Sequence, residues 1–336
     1  MQKQTLVFEF KGTATEYFKI WMVNTLLTLL TIGFYSPWAK VRTKRYFYSN
    51  TFLENSSFDY LADPVKILKG RLLVLAIFIL YSIAGIFPVL QGVMTLLLLP
   101  IIPWIVIRSL KFNFINSAYR NIRFNFKGEY ATACWIYLAL PFFVAISVGL
   151  AYPYFARERK KFIIDNSRYG TSAFEMSASI GQFYKIFVLP FLVTLGILLS
   201  LSAVSYANMS LINNIPEMGQ VILLLALYPL LLIALAYIYT ATTNLVFNHT
   251  RLNQCQLSCH LKTAPLCWIY FSNMLAIIAS LGLLIPWAKI RLARYKISCL
   301  SLETESVLDM FVADEYEKAD AIGEEAGDLL DLDIGL

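Results

Sequence analysis

The chain has 336 residues, 58 % of them hydrophobic and only 15 % charged, with a formal net charge of +6 and a mean hydropathy of +0.61. An ordinary soluble domain carries about a quarter charged residues, so this balance argues against a soluble globule and for a polytopic membrane protein. The charge is segregated: from Glu303 onward stand twelve carboxylates and one base, Lys318, a net of −11, which leaves +17 for residues 1–302.

Met1 to Lys19 is polar and mixed in charge, without a short apolar core and small-residue cleavage site. The expectation is an uncleaved first apolar segment that serves as an anchor. Phe8-Glu9-Phe10-Lys11-Gly12 alternates apolar and polar residues and ends in Gly, which reads as a short strand and turn. The apolar segment 18–36 follows and closes on Gly33-Phe34-Tyr35-Ser36-Pro37-Trp38-Ala39-Lys40-Val41-Arg42. An apolar run ending in aromatic and cationic residues is the pattern of a helix leaving a bilayer.

Segments 72–90 and 93–107 form one 36-residue stretch without charge, broken by Pro88 and Gln91-Gly92, which predicts a helical hairpin. The opening pattern then returns as Phe124-Asn125-Phe126-Lys127-Gly128, the apolar segment as 132–152, and its basic close between Gly149 and Arg159. Asn50 to Phe58 and Asn166 to Phe174 keep the same interval, and both intervals are rich in Ser and Thr. Segments 186–206 and 221–246 make a second apolar pair. A third copy starts at Leu257-Ser258-Cys259-His260-Leu261, which has lost both Phe and Gly. It continues through segment 264–286 and closes on Gly282-Leu283-Leu284-Ile285-Pro286-Trp287-Ala288-Lys289-Ile290-Arg291.

The expected fold is therefore an all-α polytopic membrane protein of about seven hydrophobic helical segments. Short β-like segments and basic connectors lie at the membrane surface. Repeat units occupy 1–107, 108–246 and, incompletely, 247–302, followed by an acidic tail at 303–336. That tail reads as a solvated extension that could dock a partner or fold back on the basic connectors.

If all seven segments span, Lys and Arg divide 11 against 17 between the two sides. If the three motif segments dip in and return, every base falls on one side, opposite loops near 88–92 and 207–219 that hold none. The positive-inside rule favours the second arrangement.

The basic clusters are the chemically richest feature. Lys40, Arg42, Lys44 and Arg45 follow Trp38; Arg157, Arg159, Lys160 and Lys161 follow Tyr154; Lys289, Arg291 and Arg294 follow Trp287. Cations beside an anionic membrane surface gain about 1 kcal/mol each, so topology and anchoring account for the pattern. The sharper reading is a site for an anionic headgroup, phosphate or carboxylate, with Arg supplying bidentate geometry. The bilayer and its anionic headgroups are thus the expected partners. Nucleic acid is not, because the clusters are tied to membrane exits and lack a soluble domain of their own.

Asn24, Thr28, Thr31 and Tyr35 fall on one helical stripe. Asn273 and Ser280 repeat two of these positions, and Ser147 repeats one, while Leu140 replaces the Asn. Such a stripe makes interhelical hydrogen bonds or lines a polar path. Segments 72–107, 186–216 and 219–246 contain no Asp, Glu, Lys or Arg, which disfavours proton-coupled transport. Backbone carbonyls near Pro141, Pro190 or Pro229 remain as ligands for a cation.

His249, Cys255, Cys259 and His260 match no standard zinc spacing. The five cysteines, an odd number, suggest no disulfide framework. No nucleophile–base–acid grouping or phosphate loop occurs, so neither an enzyme nor a cofactor is expected.

The Phe-x-Phe-x-Gly start, Glu16-Tyr17-Phe18, Asn24, the Gly33–Arg42 motif and Arg45-Tyr46 resemble the bacterial YjgN family. So do Ala118-Tyr119-Arg120-Asn121-Ile122-Arg123-Phe124 and Pro286–Arg291. The resemblance covers roughly residues 5–302. It implies a multi-pass protein of the bacterial inner membrane with no catalytic residue to transfer. Two function classes follow. One is a transporter or channel-like protein for a small or anionic solute. The other is a non-transporting module that binds anionic lipid or scaffolds protein partners through its basic face.

Overall fold

The computed structural model describes residues 4–207 and 217–304. Its centre is a closed antiparallel barrel of ten strands in the order β1-β10-β9-β8-β7-β6-β5-β4-β3-β2. The strands are β1 (Gln4–Phe10), β2 (Thr51–Leu53), β3 (Ser56–Tyr60), β4 (Ser117–Tyr119), β5 (Ile122–Phe126), β6 (Ser167–Tyr169), β7 (Ser172–Met176), β8 (Thr250–Leu252), β9 (Cys255–Cys259) and β10 (Leu300–Thr304).

This corrects the all-α expectation. The Phe-x-Phe-x-Gly segments are strands, as their alternation predicts. The Ser/Thr-rich intervals after the basic helices are strands as well, each too short for alternation to register. The ring closes where β1 pairs with β10, Gln4 opposite Thr304.

Two-residue turns join β2 to β3, β4 to β5, β6 to β7 and β8 to β9 at one rim. Glu54-Asn55 and Arg120-Asn121 have both residues at positive φ, the geometry that matches strand twist. Arg120 Nη2 lies 2.9 Å from Glu54 Oε2, tying two of these turns together.

Among the described residues, every helix lies in a connection on the opposite rim. There α1 (Ala14–Leu30) and α2 (Ser36–Ser49) join β1 to β2, while α3 (Pro64–Ala84), α4 (Pro88–Leu98) and α5 (Ile101–Ile115) join β3 to β4. Next, α6 (Tyr130–Cys134), a π turn (Trp135–Ala139), α7 (Leu140–Ile146) and α8 (Tyr152–Asp165) join β5 to β6. Then α9 (Ile180–Ala207) and α10 (Glu217–Asn248) lie between β7 and β8, and α11 (Thr263–Ala279) and α12 (Ile285–Ser298) join β9 to β10.

The expectation of seven spans is corrected too. Among the helices whose side chains are described throughout, only α3 is long and apolar enough by itself to cross a bilayer, and α4 with α5 passes together but bends by 45°; α9 and α10, of 28 and 32 residues, run in part through side chains outside that description. Apolar length in sequence is not helix length. Segments 18–36, 132–152 and 264–286 each contain a reversal, at residues 31–35, 147–151 and 280–284. Segments 186–206 and 221–246 fall within α9 and α10. Most of the loop at 207–219 and the acidic tail lie outside the described residues. The unit boundaries at 107/108 and 246/247 fall inside α5 and α10, and strands of all three units build the one barrel.

Ten strands enclose a wider lumen than eight, and bulky side chains fill it. Phe8, Phe58, Tyr119 and Tyr169 form a chain of ring contacts, with Phe58 and Tyr119 4.7 Å apart at their centroids. Leu53, Leu252, Cys259, Leu300 and Leu302 pack around them. Tyr119 donates to Leu53 O (2.7 Å) and Tyr169 to Tyr119 O (3.0 Å), so both buried hydroxyls are satisfied. Burial pushes both phenols above their ordinary pKa.

The three reversals share one backbone form. Ile32 and Gly33 have φ of 50° and 89°, Val148 and Gly149 of 52° and 87°, and Leu281 and Gly282 of 50° and 91°. In each, the glycine N–H reaches back to the carbonyl five residues earlier: Gly33 to Thr28 (2.8 Å), Gly149 to Val144 (2.9 Å), Gly282 to Ile277 (2.8 Å). This is the Schellman helix end, whose first left-handed residue is usually Gly or Asn. A β-branched or bulky residue there costs on the order of 1–3 kcal/mol.

Candidate anionic-headgroup surface

The helices carry their bases low. Every Lys and Arg within them lies no more than about 14 Å of helix from the end joined to the barrel. Beyond that belt the exposed large side chains are apolar, among them Leu29, Leu30, Phe34, Phe142, Ile278 and Leu283.

The basic clusters sit on α2, α8 and α12, and the rim order separates them. The α11–α12 hairpin neighbours the α1–α2 hairpin across the β1–β10 closure. The α8 cluster is set apart by α3–α5 on one side and α9–α10 on the other. The three clusters therefore share a level and not a pocket.

Three of the arginines stitch neighbouring elements. Arg45 Nε donates to Tyr60 O (3.4 Å), Arg157 Nε to Ala178 O (3.3 Å) and Arg294 Nη2 to Gly12 O (3.1 Å). Arg157 also pairs with Glu158. Arg42 and Lys289 are exposed, while Lys40 and Arg159 are half-buried.

One concave site collects two of the predicted bases. Arg291 and Arg294 line a groove of about 450 Å³ with Trp287, Tyr295, Ser298, Ile269, Ile290, Thr13 and Ala14. It lies at the closure seam, with one wall from the start of α1 and the other from α11 and α12. Arg291 Nη1 donates to Ser272 Oγ (2.6 Å) and Asn273 Oδ1 (3.3 Å), and its guanidinium lies 5.2 Å from the Trp287 ring centre. Among the described residues no carboxylate pairs with Arg291 or Arg294. Two guanidiniums held by neutral acceptors keep their full positive field, and the indole supplies an apolar platform.

Sequence reasoning found the arginines and Trp287 but not the opposite wall. Tyr295, which trails the last Arg of the cluster, lines the same groove. Its hydroxyl donates to Lys262 O (3.0 Å) and accepts from Lys262 N (2.9 Å), closing the base of the third hairpin. Tyr46 does the same with Thr13 (3.0 and 2.9 Å). Phe162 stands at the matching place in the second unit. Tyr295→Phe is expected to lower stability by about 1–2 kcal/mol, read as a lower thermal midpoint in detergent.

The polar stripe is engaged within its own hairpins. Asn24 is buried, and its Nδ2 donates to Ala39 O (3.3 Å) on the return helix; Asn273 Nδ2 does likewise to Ala288 O (3.2 Å). Thr28 Oγ1 donates to Asn24 O (2.6 Å). Thr31 Oγ1 accepts from Tyr35 N (2.9 Å) and Ser280 Oγ from Leu284 N (3.0 Å), capping the reversals. These side chains hold each hairpin shut.

Elsewhere, Gln182 Nε2 lies 3.0 Å from His249 Nε2, and Cys255 Sγ donates to Thr304 Oγ1.

A family described as bacterial protein of unknown function (DUF898) matches residues 5–329. The chain belongs to this family. It is similar to the inner membrane protein YjgN of Salmonella typhimurium, 26 % identical over 342 residues that cover 87 % of this chain and 86 % of that protein. To YjgN of Escherichia coli K12 it is 32 % identical over 152 residues, 43 % of this chain and 37 % of that one. No solved structure matches. These relatives bear the name of inner membrane proteins, which supports the bacterial inner membrane as the location of this one.

Proposed function

We propose that this protein is a non-transporting module of the inner membrane that holds anionic phospholipid headgroups at its basic belt, most tightly in the Arg291/Arg294 groove. The helical rim faces the bilayer, the barrel stands in the cytoplasm, and α3 with the α4–α5 pair enters the lipid. The three strand–hairpin–strand units are copies of one ancestral unit. The observation that carries this reading is the layering: a filled barrel, then all helical bases at one level, then exposed apolar surface. The same layering weighs against a conduit, because the lumen is closed by rings and the polar stripe is consumed within its hairpins.

Titration of water-soluble short-chain phosphatidylglycerol and phosphatidylcholine into the detergent-solubilised full chain tests the reading. Phosphatidylglycerol is expected to bind at least tenfold more tightly, as two bases at about 1 kcal/mol each allow. The preference is expected to shrink between 0.1 and 1 M NaCl, as the screening length falls from about 10 to about 3 Å. Equal binding of the two lipids overturns the proposal, and so does protein-dependent release of small solutes from sealed proteoliposomes.

A further inference from the structure

We infer that the three reversals Ile32-Gly33, Val148-Gly149 and Leu281-Gly282 are insertion tips, which enter the upper acyl layer of one leaflet and return without crossing it. The inference deepens the membrane reading above and rests on its assignment of the helical rim to the bilayer.

The chain contrasts two kinds of left-handed turn. At the barrel's turn rim the positive-φ positions that are not glycine carry Glu54, Asn55, Arg120, Asn121 and Asn253. At the hairpin tips they carry Ile32, Val148 and Leu281. Polar residues, Asn above all, tolerate this conformation; Ile and Val resist it. No packing offsets the strain, because the three tip residues are 93 %, 83 % and 95 % exposed. A wholly exposed apolar side chain in an unfavourable backbone conformation gains nothing from water. It gains from a hydrocarbon surrounding.

The backbone at the tips is fitted to the same surrounding. Hydrocarbon offers no partner to N–H or C=O groups, so re-entrant chain must satisfy its own. Besides the glycine bonds given above, Ile32 N donates to Leu29 O, Val148 N to Ala145 O and Leu281 N to Ile278 O. One hydroxyl in each copy then accepts the N–H four residues on: Thr31 from Tyr35, Ser147 from Ala151 and Ser280 from Leu284, at 2.9, 3.0 and 3.0 Å. The polar stripe thus ends in a hydroxyl that seals the turn.

Depth follows from the bases. Lys40, Arg157 and Lys289 stand only about 6–8 Å along their return helices from the ends of the reversals. With those cations at headgroup level, the tips reach the 5–10 Å depth of interfacial insertion and no further.

The test places an environment-sensitive fluorescent amino acid at positions 32, 148 and 281, one at a time. The full chain is reconstituted in phosphatidylglycerol/phosphatidylcholine vesicles, with the same probe at position 121 as the turn-rim reference. At all three tips, expected quenching is strongest by nitroxide on a shallow acyl carbon, weaker by nitroxide deep in the chain, and several-fold weaker by iodide than at position 121. Iodide quenching equal to that at position 121 overturns the inference. Protection from iodide without nitroxide quenching overturns it as well, since the tips would then be covered by protein.

A second measurement does not depend on the probe. Ile32→Asn, Val148→Asn and Leu281→Asn relieve backbone strain but give up the hydrocarbon contact, so the thermal midpoint of the full chain in the same vesicles is expected to fall. A rise in all three overturns the inference, because strain relief alone would then act on side chains that face water. If the tips meet iodide while phosphatidylglycerol binding persists, the tip assignment fails alone. If both fail, the membrane-facing rim falls with it.

Discussion

Replacing Arg291 and Arg294 together by Gln is expected to weaken binding of short-chain phosphatidylglycerol by about 30-fold, the equivalent of about 2 kcal/mol for two headgroup contacts. The charge-matched comparison is Arg42→Gln with Lys289→Gln, two exposed bases of the same belt outside the groove. That pair shifts only the general field and is expected to cost a few-fold. Equal losses from the two pairs would mean a diffuse belt without a discrete site. Because Arg294 also donates to Gly12 O across the closure seam, Arg294→Lys serves as the partner variant. It keeps the charge but not the fork, and separates a weakened seam from a lost headgroup contact.

The second large effect is on stability. A Cβ added at Gly128 would stand 2.6 Å from Phe126 Cε1 and 2.8 Å from Phe162 Cζ; at Gly12 it would meet Phe10 Cζ at 2.6 Å and the Tyr46 hydroxyl at 3.2 Å. Phe126 and Phe162 are buried at 1 % and 3 % exposure, so neither can swing aside. Gly128→Ala is expected to cost about 3 kcal/mol and Gly12→Ala less, both near the range for overpacking a close-fitted site. Thermal unfolding in detergent checks the order. The third unit shows how the same space is filled differently: Cys259 stands where the ring was and Leu261 where the glycine was, both buried. A small side chain below admits a large one above. Phe126→Cys combined with Gly128→Leu is therefore expected to recover much of what Gly128→Ala loses, whereas Gly128→Leu alone does not.

Much of the candidate site was legible in the residues. Trp287, Arg291 and Arg294 were marked by their place at the close of an apolar run. Thr13 and Ala14 were not, because they come from the far end of the chain and reach the groove only through the β1–β10 closure. Asn24 and Thr28 lie in α1 with Thr31 at its C-cap, Asn273 and Ser280 take the same places in α11, and Tyr35 of the expected stripe stands beyond the reversal. Whether such a face lines a path or clamps a neighbour depends on which helix returns beside it, and α2 and α12 return along their own partners.

The turns explain the largest misreading. The usual sign of a helix end is Gly or Asn at the first left-handed position. Here Ile32, Val148 and Leu281 occupy it and the glycine comes one residue later, so the apolar run reads straight through the reversal.

Composition and the family motifs were enough to place the chain among inner membrane proteins of an uncharacterised family, and the repeated motif with its segregated bases led to the expectation of related units and a basic face. Those properties are local or additive along the chain. The barrel was decided only by tertiary structure. Its strands are three to seven residues long, and outside the two Phe-x-Phe-x-Gly segments the alternation is too brief to stand out. Pairing Gln4 with Thr304 unites residues that no local preference connects. Closure also set what the bases do. By sending every described helical connection to one rim, it turned three separated cationic clusters into one level, and placed the start of α1 against α12 to make the groove.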